Sequence, residues 1–378
     1  MKVRLGDYIK EYSVRNKNDE DIPVYSVTNT QGFCQDYFGK EVASNDKTTY
    51  KIVPRGYFAY NPSRINVGSV DWQKNEEKVI VSPLYNVFSV SSELKQQYLY
   101  YYLKSDFASH YIKELASGSV RDNLKLSILC EFPINIPSVE EQELIISQLD
   151  YLKSIIALRK NELQKIDELI KARFVELFGD PVTNEKNWPR LTLGNICEIG
   201  SSKRVFEKDY VPNGVPFFRT KEIVELSKGN SISTELFITD EHFAELKKSY
   251  GAPKKDDLLI SAVGTIGTIW IVSGDFEFYF KDGNLIQIKS SSNFNSIFMK
   301  YLLDELIANY KKEMSTGTAY SALTIAGLKK MLVYDVPLAL QNQFAAFVEQ
   351  TDKSKLVVQE ALNKAQLLFD SLMQKYFG

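Results

Sequence analysis

Apolar residues of this chain recur in two long stretches, 142–179 and 341–378, at alternating steps of three and four. That spacing places them on one helical face and gives both helices the same heptad register, as a paired seam requires. In the first stretch we predict an interface of Ile145, Leu149, Ile156, Leu163, Ile166 and Ile170. In the second stretch we predict an interface of Phe344, Val348, Leu362 and Phe369.

A helix of about 37 residues extends roughly 55 Å. This is longer than a small domain is wide, so each helix needs a partner along its length. Polar residues also fall within the two seams, where they favour one specific pairing; they are Arg159, Arg173, Thr351 and Lys355. We therefore predict that the two helices form an antiparallel coiled coil. The alternative is that each helix packs only on its own domain.

The long helices belong to a repeat of the whole chain at an offset of 199 residues. The matched pairs include Gly68 with Gly267, Gly118 with Gly317, Leu124 with Leu323, and Phe178 with Phe377. Short apolar runs between turn residues predict strands at 78–81 and 258–263, and helical spacing predicts helices at 98–109 and 296–314. The fold class is therefore mixed α+β, with two similar globular domains held apart by the helix pair. We place the first globular domain at 1–140, the first helix with its connector at 141–185, the second globular domain at 186–338 and the second helix at 339–378.

The composition is that of a globular protein, with 44% hydrophobic and 25% charged residues. No apolar run reaches about 18 residues and the N-terminus leads into polar sequence, so we expect no membrane span, no signal peptide and a cytoplasmic location. Cys34, Cys130 and Cys197 are far apart and lack CxxC spacing, which predicts reduced thiols. The net charge of −2 does not indicate a nucleic-acid binder, although a basic groove can coexist with acidic surfaces elsewhere.

Catalytic signatures are absent from the sequence. The two histidines, His110 and His242, each stand alone, and there is no Walker motif, HExxH, GxSxG or GxGxxG. The segment 61–64 is similar to the Asn-Pro-Pro-aromatic box of amino-methyltransferases, but it lacks the second proline and the aromatic residue. The GxxG pattern at 264–267 is common turn material. We expect no catalytic residue, no metal site and no cofactor bound by this chain.

Basic residues interleaved with aromatic and small polar residues are the positive chemical signal, and they occur in both repeats. Arginine and lysine bind phosphates or guanine, whereas asparagine reads adenine edges. The candidate DNA-binding residues are Arg64, Asn66, Arg121, Asn123, Lys203, Arg204, Arg219 and Lys221. Any one such stretch is more often a solvated loop than a DNA contact, and the recurrence in both repeats raises the odds of a DNA contact.

The ordered set of motifs resembles the specificity subunit of Type I restriction-modification systems over the whole chain. The segments that carry the resemblance are 60–68, 118–124, 257–267, the helix entries 136–142 and 336–341, and the Phe-Gly ends of both helices. One departure is that Thr351 and Lys355 stand where the first helix has Leu152 and Ile156, so docking on the two sides of the helix pair could differ.

The resemblance implies that the two globular domains are target-recognition domains. Each would read one half of a bipartite target in double-stranded DNA, while the helices set the unspecified gap. It also implies two modification subunits docked on the helices, which carry S-adenosylmethionine and the methyltransferase chemistry, and restriction/translocase subunits. The alternatives are a stand-alone DNA methyltransferase or nuclease on a duplicated scaffold, and a coiled-coil interaction scaffold without a nucleic-acid role.

Overall fold

The computed structural model describes residues 2–35, 46–116, 123–274, 276–315 and 322–378. Helices and strands are mixed in both repeats, which confirms the predicted fold class. The chain forms two compact units. Unit 1 comprises Met1–Asn161 and Val358–Gly378, and unit 2 comprises Glu162–Val357. Each unit therefore contains one globular domain and a part of both long helices.

The strands of the first repeat are β1 (Lys2–Arg4), β2 (Ile9–Glu11), β3 (Ser26–Thr28), β4 (Gly32–Cys34), β5 (Lys51–Pro54), β6 (Phe58–Tyr60), β7 (Val70–Trp72), β8 (Lys78–Val81), β9 (Asn86–Val90) and β10 (Pro133–Asn135). Its helices are α1 (Gln96–Lys104), α2 (Asp106–Ala116), α3 (Leu126–Leu129) and α4 (Val139–Phe178), with 3-10 turns at Leu5–Asp7 and Ile65–Val67.

The strands of the second repeat are β11 (Arg190–Thr192), β12 (Ile199–Gly200), β13 (Val215–Phe218), β14 (Phe237–Ile238), β15 (Leu258–Ser261), β16 (Ile269–Ile271), β17 (Tyr279–Phe280), β18 (Leu285–Ile288) and β19 (Leu332–Tyr334). Its helices are α5 (Leu193–Ile196), α6 (Thr220–Ser227), α7 (Asp240–Tyr250), α8 (Ser296–Ser315), α9 (Ile325–Lys330) and α10 (Leu338–Phe377), with a 3-10 turn at Glu207–Asp209.

The central sheet of unit 1 has the strand order β2-β9-β6-β7, with antiparallel pairing throughout. Its aromatic side chains fill the core: Phe58 and Phe88 are cross-strand partners, both fully buried, and their rings stack with centroids 5.1 Å apart. Such aromatic cross-strand pairs stabilise a sheet that has one face against a helical layer. Tyr98 and Leu99 of α1 supply that layer.

The central sheet of unit 2 has the equivalent order, β12-β18-β15-β16. In β15, Leu258 and Ile260 lie in one core cluster with α8, whereas Leu259 lies in a second cluster with Trp270 and Phe218. Both faces of this strand are buried, which explains why it reads as a continuous apolar run and not as an alternating one. The repeat detected in the sequence is therefore a repeat of strand order.

The two units differ in the segments that follow their first sheet strand. Unit 1 adds the antiparallel pairs β3-β4 and β5-β8. Unit 2 adds a sheet of order β14-β13-β17, in which β13 and β17 are parallel, together with α6 and α7. A common framework thus carries different inserted segments.

The predicted long helices are confirmed and begin three residues earlier than expected. A capping box starts α4, because the hydroxyl of Ser138 accepts the N–H of Glu141 at 3.2 Å and the Glu141 carboxylate accepts the N–H of Ser138 at 3.2 Å. Residue Pro337 directly precedes α10, where a proline does not interrupt helical hydrogen bonds.

In each unit the beginning of one long helix packs against the end of the other. In unit 1, Ile145 and Leu149 of α4 share a core with Phe369 of α10, and the hydroxyl of Tyr376 donates to Gln148 Oε1 at 2.9 Å. Also in unit 1, Ile156 is buried and Leu362 is half-buried. The helix pair is therefore antiparallel, as predicted.

The other end of the seam lies in unit 2. Ile170 of α4 is buried in one cluster with Phe344 and Val348 of α10, and Ile166 packs partly buried against it. Leu163 is half-buried. A polar link joins the helices where the seam is polar, because Lys355 Nζ donates to Asp167 Oδ1 at 2.5 Å.

One predicted helix is divided. We expected a single helix over 98–109, but α1 ends at Lys104 and α2 begins at Asp106. Ser105 between them has an extended backbone, and its hydroxyl accepts the N–H of Ala108 at 3.2 Å as a helix N-cap does. No helix within the described ranges has the length and apolarity of a membrane span.

Candidate nucleic-acid interface

The candidate DNA-binding loop of unit 1, residues 61–68, is anchored by a buried side chain and by a closed turn. Ile65 is buried, and the turn closes with a hydrogen bond from the Gly68 N–H to the Ile65 carbonyl at 2.8 Å. Gly68 has a φ of +86°, and a Cβ there would meet Asn29 Oδ1 at 2.5 Å, so only glycine fits. Above this anchor, Arg64 is exposed and Asn66 is half-buried. The loop presents Arg64 on a rigid base.

The structure brings Asn123 to the same loop. The hydroxyl of Ser63 donates to Asn123 Oδ1, and the N–H of Leu124 donates to the Pro62 carbonyl at 3.1 Å. Below them, Tyr60 donates its hydroxyl to the Leu124 carbonyl at 3.0 Å, and burial raises the pKa of this phenol, so it remains a donor. Asn123 and the loop that carries Arg64 and Asn66 are about 60 residues apart in sequence, and they share one edge of unit 1.

Arg121 lies outside the described residues, as does the equivalent segment 316–321 of the second repeat.

Unit 2 repeats the framework of this edge. Gly267 has a φ of +83°, and a Cβ there would meet Ile307 Cγ2 at 2.6 Å. The N–H of Leu323 donates to the Ala262 carbonyl at 3.2 Å, which reproduces the Leu124 contact. The sequence motif at 264–267 is therefore a structural turn that the repeat shares.

Lys203 and Arg204 lie on an exposed segment of unit 2. The N–H of Lys203 donates to the Tyr279 hydroxyl at 2.9 Å, and its ammonium lies 5.4 Å from the ring centroid of Tyr250. Arg204 donates from Nε to Asp282 at 3.0 Å while 65% of its side chain stays exposed. Both cations are accessible to an anionic ligand.

Arg219 and Lys221 lie in a denser ionic network. The guanidinium of Arg219 contacts Glu222 Oε1 and Glu235 Oε2, each at 2.8 Å, and Lys221 contacts Glu235 at 3.3 Å. Hydrogen bonds with Glu222 and Glu235 raise the pKa of Arg219. A DNA phosphate would compete with two carboxylates for this arginine, so its role in binding stays a prediction.

The sequence did not indicate a cation cluster around Tyr100 in unit 1. The ammonium groups of Lys74, Lys104 and Lys153 lie 5.1, 5.6 and 5.5 Å from the centroid of this one ring. Lys74 follows β7, Lys104 ends α1 and Lys153 lies in α4, so no spacing rule connects the three lysines. Only the folded unit places them together.

Among the residues that the structure describes, no group of three or more His, Cys, Asp or Glu side chains is placed to hold a metal ion. A cavity of about 420 Å³ in unit 2 is lined mainly by apolar side chains, including Leu306, Leu323 and Met331, with Arg190 at its wall. Within the described ranges no Asp or Glu lines it, and its polar lining side chains are Arg190, Asn309, Tyr310 and Lys330.

Comparison with known proteins assigns both repeats to one family. The family model for the type I restriction modification DNA specificity domain matches residues 2–168 and again 185–365. A putative type I restriction enzyme specificity subunit of Haemophilus influenzae is 27% identical over 349 residues, which cover 90% of this chain and 83% of that protein. The MjaIX specificity subunit of Methanocaldococcus jannaschii is 25% identical over 354 residues, which cover 86% of this chain and 77% of that protein.

A solved structure shows the same fold. The crystal structure of the type I restriction-modification S subunit from M. genitalium superposes with a TM-score of 0.58 at 16% identity, over 100% of this chain and 96% of that one. Because the family model covers both repeats and most of the chain, this protein belongs to the family of type I restriction-modification DNA specificity domains and contains two of them.

Proposed function

We propose that this chain is the non-catalytic specificity subunit of a type I restriction-modification complex. Each globular domain reads one half of a bipartite DNA target, and the antiparallel helices set the gap between the halves. The observation that carries the proposal is that the DNA specificity domain occurs twice, once on each copy of the same sheet framework.

The inserted segments support two different half-sites. Both units keep the framework strands, but unit 1 inserts β3, β4, β5 and β8 where unit 2 inserts β13, β14, β17 and two helices. Sequence is read by side chains that reach base edges, whereas phosphate contacts position the protein. Domains that differ in their inserted segments present different side chains, so the two halves of the target should differ in sequence.

Specific residues have distinct expected roles in binding. In unit 1 the accessible groups on the 61–68 loop are the Arg64 cation and the Asn66 amide. In unit 2 they are the Lys203 and Arg204 cations. An alanine at a phosphate-contacting residue should weaken binding to every sequence and lower the salt slope by about one. An alanine at a base-reading residue should cost about 1–3 kcal/mol at one base pair.

Exposed apolar side chains on the long helices support docking of modification subunits. Leu144, Tyr151 and Leu158 on α4 are 59%, 67% and 65% exposed and are spaced seven residues apart. Such a stripe on a helix whose other face is packed is typical of a partner surface. Tyr151→Glu with Leu158→Glu should reduce binding to the modification subunit without lowering the unfolding temperature, whereas Lys160→Glu on the same helix should leave binding unchanged.

The chemistry belongs to the partners in this proposal. Two modification subunits carry S-adenosylmethionine and transfer the methyl group, restriction/translocase subunits cleave, and the complex acts on cytoplasmic DNA. The alternative, a stand-alone methyltransferase or nuclease, requires a catalytic constellation in this chain. The chain incubated with labelled S-adenosylmethionine and DNA should therefore transfer no label until a modification subunit is added.

A selection from random-sequence DNA tests the proposal directly. The chain with its modification subunit should enrich two fixed blocks separated by a constant gap. Enrichment of a single block, or of nothing, would contradict bipartite recognition. Methyl transfer by the pure chain would favour the stand-alone enzyme.

A further inference from the structure

The lysines around Tyr100 form a built cluster and not a chance group of surface charges. Lys104 is held in place, because its ammonium donates to the Gly68 carbonyl and to Asn29 Oδ1, the latter at 3.2 Å. Burial lowers the pKa of Lys104. The Asp71 carboxylate opposes this shift, and the nearby charges of Lys153 and Lys74 add to it. Like charges are thus kept together at an energetic cost, which an anion would offset.

The positive charge is only partly compensated within the cluster. Asp71 is buried and pairs with Lys74 at 3.1 Å. Lys74 keeps 40% of its side chain exposed and Lys153 is exposed, so both have N–H donors that can reach a ligand. Lys104 is half-buried and contributes positive charge, while Lys74 and Lys153 supply the direct contacts to a ligand.

The second repeat shows that the fold does not require lysines at these positions. The helices α1 and α8 align at an offset of 200, and the long helices align at 199, so Asp304 is equivalent to Lys104 and Asp352 to Lys153. Asp304 contacts Lys300 at 2.8 Å, and burial raises the pKa of both aspartates. The same framework thus tolerates either sign of charge, and packing alone does not explain the lysines.

The position of the cluster points to its ligand. Gly68, whose carbonyl accepts Lys104, closes the loop that presents Arg64 and Asn66. The cluster therefore borders the candidate DNA-binding edge of unit 1 and reaches α4 through Lys153. A cationic track beside a base-reading loop is the arrangement that positions a protein on the phosphate backbone.

We propose that Lys74, Lys104 and Lys153 form an anion site that binds a DNA backbone phosphate beside the half-site read by the first domain. At the equivalent position of the second domain, Asp304 and Asp352 stand in place of two of the lysines and are charge-paired with nearby lysines such as Lys300, so the excess positive charge is absent there. The first domain therefore makes a phosphate contact at this position and the second domain does not, although the two share the same framework. This inference rests on the proposed DNA-binding function.

The test measures DNA affinity against salt concentration for the full chain in complex with its modification subunits. The probe is a short random-sequence duplex, and fluorescence anisotropy gives the dissociation constant. Lys153→Gln and Lys74→Gln should each lower the slope of log affinity against log salt by about one. The same loss should appear with the target duplex, because a phosphate contact carries no sequence information. Lys364→Gln, at an exposed lysine of α10 in the same unit, removes the same charge and should leave the slope unchanged.

The outcomes separate this inference from the proposed function. If the wild-type complex binds neither duplex, both are overturned. If the complex binds DNA and both cluster variants keep the wild-type salt slope, as Lys364→Gln does, the anion site alone is overturned. The anion site is also overturned if a variant loses affinity only for targets with one particular base pair. Lys74→Gln removes the partner of Asp71 and can lower stability, so Lys153→Gln, at an exposed position, decides the result, with the unfolding temperature of each variant measured in parallel.

Discussion

The ring of Phe377, at the end of α10, packs against Tyr98 of α1 with centroids 5.0 Å apart. The equivalent contact in unit 2 joins Phe178, at the end of α4, to Phe298 of α8 at 4.7 Å. Each long helix therefore ends on the globular domain of the other repeat. The final turn of a helix thus completes the core of a domain that is distant from it in sequence.

Truncating these rings should destabilise the unit that receives them. Phe377→Ala should cost unit 1 about 3–5 kcal/mol, and Phe178→Ala should cost unit 2 a similar amount, because each leaves a cavity in a buried aromatic cluster. Native-state hydrogen exchange should locate each loss. Leu367→Ala, at a residue that is 72% exposed, should change stability by less than about 0.5 kcal/mol. Loss of protection in unit 1 after Phe178→Ala would contradict the exchange of helix ends.

Two buried glutamines hold the long helices to their own domains. Gln142 Oε1 accepts the N–H of Lys95 at 2.8 Å, and Gln341 Oε1 accepts the N–H of Asn295 at 2.8 Å. Gln341→Leu should destabilise unit 2 by about 1–3 kcal/mol, because it leaves a backbone donor unpaired at the start of α8. The exposed Gln343 on the same helix is the matched control, since Gln343→Leu removes no such bond. Denaturant unfolding followed by tryptophan fluorescence measures both, and equal stabilities would show that the bond contributes nothing.

The sequence predicted the structural features that a periodic spacing of apolar residues determines. Heptad spacing identified both long helices and their antiparallel seam. Residues such as Ile145 and Ile170 lie on one helical face whichever part of the chain packs against that face. It could not reveal the cluster around Tyr100, whose lysines lie up to about 80 residues apart and meet only through tertiary packing. It also missed the helix break at Ser105, because a serine N-cap inside an apolar pattern does not alter the spacing of the flanking residues.

The spacing of the half-sites should follow the length of the helices. Seven residues inserted after Asn161 in α4, and seven after Val357 in α10, enter neither compact unit and preserve the heptad register. Each helix becomes about 10 Å longer, close to three base pairs at roughly 3.4 Å each. Selection from random DNA should return the original half-sites with a longer gap. An unchanged gap would show that the helices do not set it, and a four-residue insertion, which breaks the register, should lower stability.

Unit 1 contains the end of α10 as well as most of the first repeat, and this indicates how the first repeat would behave alone. Residues 358–377 of α10 cover Ile145 and Leu149 in that unit, and they are equivalent to residues 159–178 of α4. A second copy of the first repeat can therefore supply Phe178 in place of Phe377. Arg159 and Arg173 are the obstacles, because they replace the apolar Val358 and Leu372. In unit 2, however, Arg173 is only half-buried and pairs with Glu176 at 2.7 Å, so it already lies at the edge of a packed interface.

Residues 1–185, expressed alone, should therefore form a homodimer that binds a palindromic version of the first half-site. The dimer is favoured because it buries large aliphatic side chains, each worth roughly 1.5–3 kcal/mol when fully buried, in a closed two-fold pair. Arg173→Leu should tighten the dimer, and Ile170→Glu should dissociate it, because a charge would then enter the seam. Analytical ultracentrifugation distinguishes monomer from dimer for all three chains. A wild-type half chain that stays monomeric at high concentration, while Arg173→Leu dimerises, would assign the failure to the arginine; monomers in both would contradict the interchange of helix ends.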